Sequence, residues 1–109
     1  MAFNERLAER VRRALATRRD VRERRMFGGL AFMVRGHMCV GITGDDLMVR
    51  VGPEGYERAL RRRHARPMDF TGKALRGFVY VAPAGTAAAA SLRSWLRPAL
   101  DWVGKQPRK

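Results

Sequence analysis

Few residues in this sequence have types and spacing suited to chemistry. His37 and Cys39, in the run RMFGGLAFMVRGHMCVGI from Arg25 to Ile42, come nearest to a nucleophile with its base, or to two metal ligands. On an extended strand residues two apart are separated by about 6–7 Å, too far for a direct nucleophile–base hydrogen bond. A structural zinc needs four ligands, and His64 is the only other histidine while Cys39 is the only cysteine. Asp45 and Asp46 are adjacent carboxylates, but they follow Gly44 in a turn-like stretch, where aspartate serves the local backbone. Gly28-Gly29 could suggest a phosphate-cradling loop, yet no Gly-Lys-Ser/Thr follows, and the next residues read as a strand. The expectation is no enzyme, no cofactor and no metal.

What remains is the chemistry of arginine. The chain has 109 residues with Lys+Arg 23 and Asp+Glu 10, a formal net charge of +13. Of the basic residues 20 are arginine, in a chain with 15 alanines and 11 glycines, the weighting that GC-rich coding produces. Codon bias accounts for arginine in place of lysine, not for the excess of bases over acids. Such an excess attracts polyanions, and the guanidinium fork donates two hydrogen bonds at once to a phosphate. The densest runs give Arg12, Arg13, Arg61, Arg62 and Arg63 as candidate nucleic-acid contacts. No helix-turn-helix, zinc-finger or RNA-recognition signature accompanies them, so phosphate contact without sequence choice is what they imply. A face crowded with arginines favours a nucleic-acid site; an even scatter favours a merely solvated surface.

These residues need elements to position them. Asn4 caps a first helix running to about Thr17, with Leu7, Val11, Ala14 and Leu15 on one stripe and Arg6, Arg10 and Arg13 off it. Four strands follow: Val21–Phe27, charged like an edge strand; Leu30–Val34; His37–Ile42; and Leu47–Val51. Alternation puts Met38, Val40 and Ile42 on one face of the third strand and His37, Cys39 and Gly41 on the other. Short turns at Gly28-Gly29, Arg35-Gly36 and Gly44-Asp45-Asp46 make an antiparallel meander. Gly52-Pro53 opens a second helix to about Arg63. Met68–Phe70 and Gly77–Val81 are later strands around Thr71-Gly72-Lys73. A last helix starts near Thr86 with Leu92, Trp95, Leu96, Ala99, Leu100 and Val103 as its stripe. Pro98 predicts a bend around Ser94–Pro98 or a split into two helices. The fold class is α+β: a four-strand antiparallel meander plus one or two later strands, packed by N-terminal, middle and C-terminal helices. The organisation is one domain over residues 1–104 and a flexible basic tail over 105–109. No apolar run approaches the length of a membrane span, and the N-terminus, MAFNERLAERVRR, alternates charge with apolar residues unlike a secretory leader, which implies a cytoplasmic protein with no membrane partner.

The blocks RMFGGLAFMVRGHMCVGI, DDLMVRVGPEGYERAL, HARPMDFTGKALRGFVYV and SLRSWLRPALDWV, in that order behind an amphipathic helix, resemble the TfoX N-terminal domain family, after the TfoX/Sxy regulators of natural competence. The resemblance spans about Phe3 to Val103. It implies a secretion-chaperone-like fold and a link to transcriptional activation. It brings no catalytic residues, and it makes Arg25, Met26, Phe27, Gly28 and Gly29 an architectural motif. Competence regulators carry a second, helical domain, so the expectation here is the stand-alone first domain. The functional expectation is a regulatory interaction module that binds a transcription-apparatus protein, or DNA weakly and without sequence preference. The alternative is a protein-binding adaptor or chaperone-like homodimer with no nucleic-acid role.

Overall fold

The hairpin turns follow from residues that tolerate a left-handed backbone. Arg35 and Gly36 have φ of 56° and 84°, the two-residue turn whose twist matches a hairpin, and they join Val34 to its cross-strand partner His37. Gly28 has φ of 70°. A Cβ on Gly29 would collide with the backbone carbonyl oxygen of Ile42, so the two glycines answer separate demands, one for a turn and one for close strand approach. The computed structural model describes residues 3–26, 28–70 and 73–108. Phe27 of the motif, Thr71-Gly72 of the later turn and Lys109 of the tail lie outside the described residues.

In chain order the elements are α1 (Glu5–Ala14), β1 (Val21–Met26), β2 (Gly29–Val34), β3 (His37–Thr43), β4 (Asp46–Arg50), α2 (Gly52–Leu60), β5 (Ala65–Phe70), β6 (Lys73–Val81), a 3-10 turn (Pro83–Gly85) and α3 (Ala89–Gly104). The six strands form one antiparallel sheet in the order β1-β2-β3-β4-β6-β5. The fold is α+β, as the element pattern predicts, with charged β1 on an edge. The later strands are longer than the sequence suggests, because pairing with β6 carries β5 back through Ala65, Arg66 and Pro67.

One continuous core joins the helices to one face of the sheet. Leu7, Ala8, Val11 and Leu15 of α1 and its exit, Tyr56 and Ala59 of α2, and Leu92, Trp95, Leu96, Ala99 and Val103 of α3 pack against Leu30, Phe32, Val34, Val40, Ile42, Leu47, Val49, Val79 and Val81. Ala8 completes the stripe of α1, while Ala14 is exposed. Asn4 caps α1 as expected, its Oδ1 accepting from the Leu7 N–H at 3.0 Å. Its backbone N–H donates to the Gly44 carbonyl at 2.7 Å, which ties the helix start to the β3–β4 turn.

One local reading is corrected and one loses an alternative. Phe32 pairs with Val40 but Met33 pairs with Met38, so Cys39 is an extra residue without a partner, a β-bulge. The bulge resets the alternation. His37 pairs with Val34 and meets Trp102 of α3 edge-on at 6.0 Å, and Cys39 joins the core beside Val40 and Ile42. The expected division of β3 into opposed His/Cys and Met/Val faces therefore fails at its N-terminal half. Pro98, in turn, lies inside a single α3 rather than at a break between two helices. Proline cannot donate to the carbonyl four residues back, that of Ser94. Arg62 supplies the missing donor, its Nη1 reaching the Ser94 carbonyl oxygen at 3.2 Å and its Nη2 the Ser94 hydroxyl at 2.7 Å.

Candidate polyanion interface

The five arginines singled out in the sequence do not form one cluster. Arg12 turns down towards the sheet edge and holds Glu23 of β1 with two hydrogen bonds, Nε to Oε2 at 2.6 Å and Nη2 to Oε1 at 2.9 Å. Its Nη1 also reaches Glu9 at 3.4 Å. The hydrogen bond from Arg12 holds the Glu23 carboxyl below its ordinary range, and the same bond lifts the guanidinium still higher. Arg12 is a clamp between α1 and β1. Arg62 is similarly engaged: besides Ser94 it lies over the Trp95 ring at 3.5 Å, and burial lowers its pKa. Such a stacked, hydrogen-bonded guanidinium contributes through packing as much as through charge.

Arg13, Arg61 and Arg63 are exposed. Arg13 comes no closer to a carboxylate than 4.0 Å, from Glu9. Arg61 and Arg63 flank Arg62 at the exit of α2 and line a shallow concavity of 520 Å³ with His64, Ser91 and Trp95. His64 takes a left-handed backbone there, with φ of 70°, to turn the chain into β5.

Two residues that the sequence reading passed over connect these places. Arg93 and Arg97, one turn apart on the outer side of α3, are exposed, and among the described residues neither forms an ion pair. Arg93 lines one groove with Arg10 and Arg13 of α1, and both Arg93 and Arg97 line the next with Ser94, the residue that Arg62 holds. The result is a band across the helical roof: Arg61 and Arg63 at one end, Arg93 and Arg97 in the middle, Arg13 at the other. Arg10 is part of its floor, donating to the Thr86 carbonyl at 2.6 Å. The signal in the sequence was the i, i+4 spacing of Arg93 and Arg97 beside the Leu92/Leu96 stripe, but isolated arginines in an apolar helix do not stand out as a charge run does.

The other candidates have ordinary partners. Asp46 receives Arg66 at 2.7 Å, and Asp45 receives the Asn4 amide at 3.0 Å. His37 Nε2 lies 2.7 Å from the Pro107 carbonyl oxygen, and Arg35 Nη2 donates to the Gln106 carbonyl at 3.0 Å, so two carbonyls of the segment assigned to the tail are held by the β2–β3 hairpin. Burial pushes the Cys39 thiol up to about 12, which keeps it a neutral core side chain. Among the described residues no three histidine, cysteine or acidic side chains gather to hold a metal ion. Among the described residues no helix is long and apolar enough to cross a membrane.

The model of the TfoX N-terminal domain matches residues 13–102. The chain belongs to that family. The match takes in the whole sheet, α2 and nearly all of α3, and it leaves most of α1 outside. The TfoX N-terminal domain is a regulatory, non-catalytic domain of the competence type. No curated protein and no solved structure matches the chain.

Proposed function

We propose that this TfoX N-terminal domain is a cytoplasmic regulatory module, linked to transcription, that holds nucleic acid by its phosphates along the arginine band of its helical roof. The observation that supports this is the continuity of the band: Arg93 and Arg97 bridge Arg13 on α1 to Arg61 and Arg63 at the end of α2. Exposed guanidiniums such as Arg93 and Arg97 displace condensed counterions from phosphate when they meet it, and that release drives binding. No helix-turn-helix, zinc-finger or RNA-recognition signature accompanies the band, so the contact carries little sequence choice. Arg12 and Arg62 act indirectly, the one fixing α1 to the sheet and the other fixing the exit of α2 to α3.

The test is duplex-DNA binding by fluorescence anisotropy over a series of salt concentrations. Arg93→Ala/Arg97→Ala is expected to weaken binding and to flatten the log K against log salt slope by about two, close to one per lost phosphate contact. Two unrelated duplex sequences are expected to bind alike. An unchanged slope in the double variant would overturn the assignment.

A further inference from the structure

The face of the sheet turned away from the helices has a composition of its own. Pairing places Arg24, Ala31, Gly41, Met48, Tyr80 and Arg66 side by side across all six strands. Arg22, Met33 and Met38 form the next row over β1, β2 and β3. Ala31, Met48 and Met68 are buried yet stand outside the core cluster that all three helices share, as residues of the opposite face should. Met48 is closed over by its neighbours, its methyl lying above Gly41. Met33 and Met38 are only partly buried in the body of the sheet, and among the described residues they stand outside the core that the helices cover. A solvent-facing strand surface ordinarily presents polar side chains, whereas here methionine, an adaptable and polarizable side chain, fills those positions.

The charge around this surface indicates what fits it. Arg22 and Arg24 are exposed, and among the described residues they form no ion pair. Arg50, at the end of β4, is instead half-buried between the Phe78 ring and the Trp102 ring of α3, 5.1 Å and 4.1 Å away, and donates to the Met38 carbonyl. A second copy of the chain would bring arginines against arginines. A single-stranded nucleic acid would need free aromatic faces for its bases, but Arg66 already lies over Tyr80 at 4.9 Å and Arg50 over Phe78.

We infer that the methionine face of the sheet docks an acidic protein segment with apolar anchors: the anchors seat on Met33 and Met38 and the carboxylates meet Arg22 and Arg24. This surface lies across the sheet from the arginine band and is independent of it. Five strand spacings of about 4.8 Å make the sheet about 24 Å wide, the length of a helix of about 16 residues.

The test pans a phage-displayed library of random peptides of about that length on the full chain and measures the enriched peptides in solution. Enriched peptides are expected to be net acidic with apolar residues between the acids. Adding one to protein labelled at its methionine methyls is expected to shift the Met33 and Met38 resonances. Met33→Gln/Met38→Gln, which removes the apolar anchors without changing charge, and Arg22→Glu/Arg24→Glu are each expected to weaken that peptide about tenfold or more, while Arg93→Ala/Arg97→Ala leaves it unchanged. Met33→Gln/Met38→Gln is also expected to leave duplex-DNA affinity intact, so the two surfaces can fail separately. Enrichment of basic or neutral peptides, no enrichment, unmoved Met33 and Met38 resonances, or loss of binding in the Arg93/Arg97 variant would overturn the inference.

Discussion

Facing the helices, the sheet presents Leu30, Phe32, Val34, Val40, Ile42, Leu47, Val49, Val79 and Val81, all buried; facing away, it presents Met33, Met38, Met48 and Tyr80 with Arg22 and Arg24 beside them. Branched and aromatic side chains fill the first face in few rotamers, which suits a core that must be unique. Long, unbranched methionines and arginines fill the second, which suits a surface that must adapt. One backbone thus carries two kinds of packing, and the helices decide which residues belong to which. The arginines are divided along the same line. Those on the roof extend the outer side of the helices, and those on β1 border the methionines.

The contrast is open to a series of substitutions. On the covered face Phe32→Ala removes a fully buried ring and is expected to cost about 3–5 kcal/mol in urea unfolding, whereas Met33→Ala, one residue on, is expected to cost less than about 1 kcal/mol. Equal losses would mean that the second face is as tightly covered as the first. Gly29→Ala, which pushes a methyl into the Ile42 carbonyl oxygen, is expected to cost about 1–3 kcal/mol, with Gly28 left to make the turn.

Arg62→Ala is expected to cost about 1 kcal/mol, because the Ser94 carbonyl that Pro98 leaves without a helical donor loses its substitute. In a Pro98→Ala background the backbone N–H returns, and the same Arg62→Ala change is expected to cost measurably less. A double-mutant cycle with no coupling would show that Arg62 does not compensate for the proline.

The smallest effect belongs to the clamp from α1 to β1. Glu23 has its folded pKa depressed by Arg12, so its contribution is present above the unfolded glutamate pKa and disappears as pH falls through the folded value. Both side chains are about a third exposed, 37% and 35%, so solvent screening holds the contribution to about 0.5 kcal/mol. Glu23→Gln is expected to lower stability by that amount at neutral pH and to match the parent chain once acid has protonated the carboxyl in both states.

Much of the fold was legible because its punctuation is local. Asn4, Gly28-Gly29, Arg35-Gly36 and Gly52-Pro53 each mark an element boundary through their own backbone preferences, and period-two alternation marks β2 and β4. What the sequence did not show involves partners distant along the chain. The bulge at Cys39 exists only as a mismatch between β2 and β3, and it turns His37 and Cys39 inward. The Ser94 carbonyl that Pro98 leaves without a helical donor is met by a guanidinium from the end of α2. Arg12 is held by Glu23 because β1 passes beside α1. The candidate site was legible as charge density at Arg13, Arg61 and Arg63, but its middle, Arg93 and Arg97, needed the packing of α3 beside α1 to be recognised.

The difference between the two faces is tested most directly by a soluble paramagnetic agent added to the chain labelled at its methionine and valine methyls. The Met33 and Met38 signals should broaden while those of Val34, Val40, Val49 and Val79, buried on the covered face, stay sharp. If Met33 and Met38 were as protected as Val40, the second face would be covered in solution, and the division of the sheet into a sealed side and an open one would be wrong.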